Sequence, residues 1–173
     1  ISHLISELDN RGEAFIAALD LRRSAAIVSG YTKKHKDGLT LIIMPNVRDA
    51  ELMAKALGHH NPLYISGNES NNERFAIWNA WQKKKKGILV GTRLAALMPH
   101  KNLSTVFLIR SSHENHKQAD RNPRYDTRLI ARKIRDEFNA KLFYIDTAPR
   151  IDEIALLTPN QMLGMKQPKV EII

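Results

Sequence analysis

Cysteine is absent from this sequence, which excludes disulfides and thiolate zinc sites and fits a reducing compartment. Glycine and proline are scarce, 8 and 7 in 173 residues, while hydrophobic residues reach 43%. That balance excludes a disordered or low-complexity chain and predicts one globular domain. No apolar run approaches the ~20 residues a membrane helix needs, and no signal-peptide pattern opens the chain. The expectation is a soluble, cytoplasmic protein, associated with the nucleoid if it binds DNA. The first residue is Ile1 rather than Met, as expected of a piece of a longer protein. Acidic residues are also in short supply: 18 Asp and Glu stand against 27 Lys and Arg, a formal charge of +9. Such an excess favours polyanionic partners, nucleic acid first among them.

What the chain does contain is a series of short, nearly continuous apolar runs: "LTLIIM" (39–44), "PLYIS" (62–66), "GILVG" (87–91), "TVFLI" (105–109) and "KLFYI" (141–145). Continuity rather than alternation marks strands buried on both faces. Helical patterns separate most of them. Asn46 is the N-cap and Gly58 the stop of one helix, with Leu52, Ala56 and Leu57 on its apolar face. Ser70 and Glu73 form a capping box ahead of Ile77 and Trp81, and Ile130, Ile134 and Phe138 share a stripe on a third helix. Alternating strand and helix predicts a three-layer α/β fold, a mostly parallel sheet with helices on both faces. Ligands in such sheets bind at the carboxyl ends of the strands. The four lysines Lys83 to Lys86 read as a solvated helix end.

At those strand ends the usual phosphoryl-transfer apparatus is missing. A nucleotide triphosphatase needs G-x-x-x-x-G-K-[ST], whose amides and lysine cradle phosphates, and no such run occurs. The nearest substitute is a helix start carrying Arg22, Arg23 and Ser24. Magnesium wants an aspartate after a buried strand; "TVFLI" runs instead into Arg110, Ser111, Ser112 and His113. ATP and magnesium are therefore not expected as cofactors. His113 and His116, three apart, lack identifiable partners for zinc, and Ser111, Ser112 and His113 lack the nucleophile-elbow pattern of a hydrolase. The turn "GTR" after a strand is better equipped: Gly91 exposes amides, Thr92 adds a hydroxyl and Arg93 a charged fork, a set suited to phosphate. Lys101, Lys117, Arg121, Arg124 and Arg128 would extend it along a nucleic-acid strand.

These motifs, in order, resemble those of the PriA family of primosomal helicases (primosomal protein N prime), superfamily 2 DNA helicases of replication restart. "LIIMPN" stands where the family has a strand ending in Pro-Glu, and "NNERFAIWNAW" resembles its Glu-Arg-to-Trp helix. "ILVGTRLAALMPHKNLSTVFL" and "SSHENHKQADRNPRYDTRLIAR" resemble the Gly-Thr-Arg segment and the stretch from acidic box to Pro-Arg-Tyr. "IDTAPRIDE" sits where Ser-Ala-Thr-Pro is expected, and "QPKVEII" resembles a linker to a second lobe.

The resemblance implies a first RecA-like lobe over 39–164, an N-terminal helical segment of the same lobe at 1–38, and a linker strand at 165–173. It also implies that Gly91, Thr92 and Arg93 lie beside bound DNA, single-stranded or forked, with Lys117, Arg121 and Arg124 adding charge. The phosphate-loop Gly-Lys-Thr is not found, and the Asp-Glu-Glu-His box reads Arg110-Ser111-Ser112-His113. The expectation is a non-catalytic, DNA-binding or assembly module. A lobe that binds only protein, and one that still binds ATP through Arg22, Ser24 and Arg110, are the alternatives.

Overall fold

The computed structural model describes residues 1–119 and 122–165. Seven strands form one sheet: β1 (Glu13–Ala17), β2 (Leu39–Ile43), β3 (Leu63–Ile65), β4 (Gly87–Gly91), β5 (Leu103–Ile109), β8 (Lys141–Asp146) and β9 (Met162–Leu163). Their order across the sheet is β3-β4-β2-β5-β8-β1-β9, and every pairing is parallel. Parallel strands need crossover connections, which is why helices separate them in sequence. A small antiparallel pair, β6 (Lys117–Gln118) with β7 (Tyr125–Asp126), projects between β5 and the next helix.

The helices divide between the two faces. α1 (Ser2–Asp9), α2 (Leu21–Lys34) and α3 (Val47–Ala56) cover one; α4 (Asn71–Gln82), α5 (Thr127–Phe138) and the segment following α6 (Ile151–Leu156) cover the other. β2 shows how the sequence makes both layers: Ile42 faces the first core with Val28 and Met53, while Leu41 and Ile43 face the second with Trp81 and Ile134. All five β2 residues are buried, as its unbroken apolar run requires.

Several expectations need adjusting. The segment 1–38 is not helical throughout, because β1 lies inside it and sits between β8 and β9. α3 buries Ala50 and Met53, and Leu57 just past its end is buried as expected, whereas Leu52 is 45% exposed and Ala56 is exposed. Capping at Asn46, whose side chain accepts from the Asp49 amide at 2.8 Å, sets a helical phase in which 50, 53 and 57 face the sheet. The helix ends at Ala56, and Gly58 opens a short 3-10 turn instead of stopping it. The Ser70–Glu73 capping box is present, with Glu73 accepting from the Ser70 amide at 2.8 Å. The linker strand expected at 165–173 lies almost wholly outside the described residues.

Candidate functional site

The carboxyl ends of β1, β2, β5 and β8 enclose a cleft of about 970 Å³. Three acids, Asp20, Asp49 and Asp146, and two arginines, Arg48 and Arg110, line it. At the end of β1 only Ala18, Leu19 and Asp20 precede α2. Asp20 is the N-cap: its carboxylate accepts from the Arg23 amide at 2.7 Å, and its carbonyl accepts from the Ser24 amide and hydroxyl at 3.1 and 2.9 Å. A helix N-terminus attracts anions through its unpaired amides and its dipole. Here the protein supplies that anion itself. A phosphate about 4 Å from it would meet a repulsion of about 1 kcal/mol in bulk water and about 4 kcal/mol near a protein surface. Ser24 is buried behind the cap, and Arg22 and Arg23 are exposed side chains on the first turn of α2.

At the end of β5, Arg110 adopts a left-handed backbone, φ 53°, a conformation that costs a non-glycine residue about 1–2 kcal/mol. Its amide donates to the Ile145 carbonyl at 2.6 Å, and its guanidinium crosses to α3 to pair with Asp49 at 2.7 Å. Asp49 is largely buried and also accepts from the Asn46 side-chain amide at 3.0 Å. The third acid, Asp146, ends β8 and accepts from the Ser112 and Thr147 amides, both at 2.7 Å. All three carboxylates are thus engaged by protein donors. Among the described residues no three His, Cys, Asp or Glu side chains gather as metal ligands do.

The four residues after β5 have separate fates. Ser111 is fully buried; its carbonyl accepts from Arg128 at 3.0 Å, and its hydroxyl has no partner among the described residues. His113 is half-buried, and its Nδ1 accepts from the Asn115 amide at 3.1 Å. His116 is fully buried with its Nε2 2.9 Å from the Ile109 carbonyl, to which it donates. Burial, reinforced by the nearby Arg128 charge, pushes the His116 imidazole down to about 4. The folded state therefore holds His116 neutral while the unfolded chain protonates it near 6.5. A lowered folded pKa on a base means that its contribution is complete above about pH 6.5 and is lost as pH falls toward 4. Urea unfolding should lose about 3 kcal/mol over that window from this residue alone. A His116→Gln variant, which cannot titrate there, should show a correspondingly shallower fall.

On the far side of β2 lies the Gly91-Thr92-Arg93 turn. A Cβ on Gly91 would collide with the Ile65 carbonyl oxygen, so glycine serves close strand packing. The expected free phosphate donors are absent at Thr92: its amide donates to Ile65 at 3.2 Å and its hydroxyl to the Ser66 carbonyl at 2.7 Å. Arg93 opens a 3-10 turn (Arg93–Leu97) and its guanidinium donates to the Lys117 carbonyl at 3.2 Å. That contact joins Arg93 to the β6–β7 pair, where Lys117 and Arg124 are exposed. Arg121 lies outside the described residues. Arg128, expected to add surface charge, is instead 3% exposed and clamps Asp126 and Ser111. The roles of Asp20, Asp49 and Asp146 were missed from sequence; only Asn46-x-x-Asp49, a capping spacing, hinted at one.

A seven-stranded parallel sheet with helices on both faces and its turns gathered at the carboxyl edge is a RecA-like α/β fold. No protein-family model and no curated protein matches the chain. Among solved structures it is similar to the Hef helicase domain of Pyrococcus furiosus, at 16% identity and a TM-score of 0.61, covering 92% of this chain and 34% of that one. It is also similar to the C-terminal domain of S. cerevisiae Dbp5 bound to Gle1 and IP6, at 12% and 0.59, covering 87% and 86%. A third is Mss116p DEAD-box helicase domain 2 bound to an RNA duplex, at 15% and 0.52, covering 87% and 69%. At these identities the likeness concerns the fold. The chain spans about a third of the Hef helicase domain.

Proposed function

We propose that this chain is a helicase-like lobe of the PriA kind without ATP chemistry, acting as a DNA-binding or assembly module in replication restart or repair. The observation that carries the reading is the Arg110–Asp49 pair at 2.7 Å, which fills with a cation the strand end that a magnesium site would line with free carboxylates. Asp20 at the start of α2 supports it. The order of sequence motifs favours a first lobe, whereas two of the structural neighbours are C-terminal or second domains, which favours a second lobe. Neither ATP nor magnesium is a ligand in this reading. Calorimetry with millimolar ATP and magnesium should give no binding heat; a saturable heat would instead favour an ATP-binding lobe completed by a second one.

DNA contact is assigned to Arg93, Lys117 and Arg124, with Arg121 on the same stretch of chain. The net charge of +9 favours it, as does the Arg93 bridge to the β6–β7 pair. Three neutralised phosphates on a single strand give a log–log salt slope of about −2. Anisotropy titrations with single-stranded and forked DNA should show this slope, and Arg93→Ala should weaken binding and flatten it. Equal binding by the variant at low salt removes Arg93 from the interface. The second reading, a protein-interaction lobe, draws on Phe75 and Trp78 of α4, which are 64% and 41% exposed and stack with ring centroids 6.2 Å apart. It is favoured if DNA affinity is absent and a stable protein partner is lost on Phe75→Ala with Trp78→Ala.

A further inference from the structure

The densest positive charge lies at the other end of the sheet. Three basic stretches, Lys33-Lys34-His35-Lys36, His59-His60 and Lys83 to Lys86, precede β2, β3 and β4. These strands are neighbours in the order β3-β4-β2, so the three entry loops meet at one edge. Between them is a pocket of about 300 Å³ lined by Lys36, Lys84, Lys86, His35, His60 and Asn61. Among the described residues no carboxylate lines it. Asp37 reaches Lys86 at 3.5 Å, but both side chains are exposed and such a pair is weak. Asp9 is taken by Lys34 and His35. Lys36 and Lys84 make no ion pair among the described residues.

Two details show that this is more than scattered surface lysine. Gly87 has φ +136°, and a Cβ there would touch Lys84, Cδ at 3.3 Å and Nζ at 3.6 Å. The Lys84 stem therefore lies against the strand start, with its ammonium lining the pocket. His60 is fixed by contacts of its Nε2 with the Ser29 and Thr32 hydroxyls, both at 3.3 Å. Burial first, then the charges of His59 and Lys33, hold its imidazole below its ordinary range.

We propose that this basin is a second phosphate-binding site, which takes phosphodiester groups of single-stranded nucleic acid at the edge opposite Arg93. Gly87 and Gly91 begin and end β4, so the basin and the Arg93 turn are separated by the length of one strand, about 15 Å. A single strand engaging both must run along the β3–β4 side of the lobe. The basin goes beyond the proposed function, because its lysines stand apart from every residue in that reading.

The test is an anisotropy titration of a labelled single-stranded oligonucleotide of about 20 nucleotides against wild type, the Lys36→Ala/Lys84→Ala/Lys86→Ala variant and the Arg93→Ala/Lys117→Ala variant. Circular dichroism confirms folding in each. The basin predicts that the triple variant binds at least about tenfold more weakly, with a salt slope shallower by about 2. Binding unchanged in the triple variant but lost with Arg93 and Lys117 overturns the basin and leaves the other edge standing. If no protein binds the oligonucleotide, sodium pyrophosphate is titrated while the His60 ring resonances are followed. A saturable shift that vanishes in the triple variant retains the phosphate site and assigns it to free phosphate compounds, whereas no shift overturns it.

Discussion

Replacing Arg128 with alanine is expected to lower the unfolding free energy by about 3–5 kcal/mol, the usual result of removing one partner from a buried ion pair. Arg128 is 3% exposed; its Nε and Nη2 each hold an oxygen of Asp126 at 2.7 Å, and its Nη1 donates to the Ser111 carbonyl at 3.0 Å. Burial alone would raise the Asp126 carboxyl, but the Arg128 hydrogen bonds outweigh it and hold it below the ordinary value. A lowered carboxyl contributes its stability above the unfolded pKa and loses it as pH falls through the folded one. The Arg128 variant should therefore depend less on pH in the acid range than wild type does. Urea unfolding at two pH values measures both effects. Loss of the clamp also frees the turn after β5 from the start of α5, so the β6–β7 pair carrying Lys117 should become protease-sensitive. A loss below about 1 kcal/mol would place Arg128 among solvated pairs instead.

The Trp81→Ala variant is expected to lose about 3–5 kcal/mol, the cost of deleting a large aromatic from a packed core. Trp81 is fully buried against the second face of the sheet, its indole donates to the Met98 carbonyl at 3.0 Å, and it meets His100 edge-on at 5.6 Å between ring centroids. That donation ties α4 to the residue that closes the Arg93–Leu97 turn. Trp81→Phe restores much of the packing but leaves the Met98 carbonyl without its donor, a loss of about 1–3 kcal/mol. The two variants separate packing from hydrogen bonding. If Arg93 contacts DNA, both should also weaken oligonucleotide binding, Trp81→Ala more than Trp81→Phe. Thermal or urea midpoints, followed beside the anisotropy titrations, decide the order.

The buried strands were legible because a strand covered on both faces must be apolar along nearly its whole length, and β2, β4 and the middle of β8 are. β1 escaped notice because Glu13-Ala14-Phe15-Ile16-Ala17 is short, contains two alanines and begins with a charge. Its burial comes from its neighbours β8 and β9, which are more than 120 residues away in sequence. The capping residues Asn46 and Ser70 could be read directly, since local hydrogen bonds belong to local sequence. The face of α3 could not, because Leu52 and Met53 are equally apolar and only the phase set by the cap chooses between them. At the site, sequence revealed Arg110 where a buried strand ends. It did not reveal that Asp49, 61 residues earlier, is its partner, nor that Thr92 uses both donors internally. Arg93 with Lys117 and the buried Arg128 look alike as letters. Their surroundings separate a basic edge from a structural clamp.

The crossing of Arg110 to Asp49 also bears on how such a cleft can change over generations. Substituting a carboxylate at position 110 removes the partner of a largely buried aspartate and sets a like charge near it, so the first step toward a metal site is penalised twice. Substituting Asp49 first leaves the half-exposed guanidinium to solvent and unpicks the hydrogen bond from Asn46 at the start of α3. Each single step therefore breaks contacts that Arg110, Asp49 and Asn46 make together.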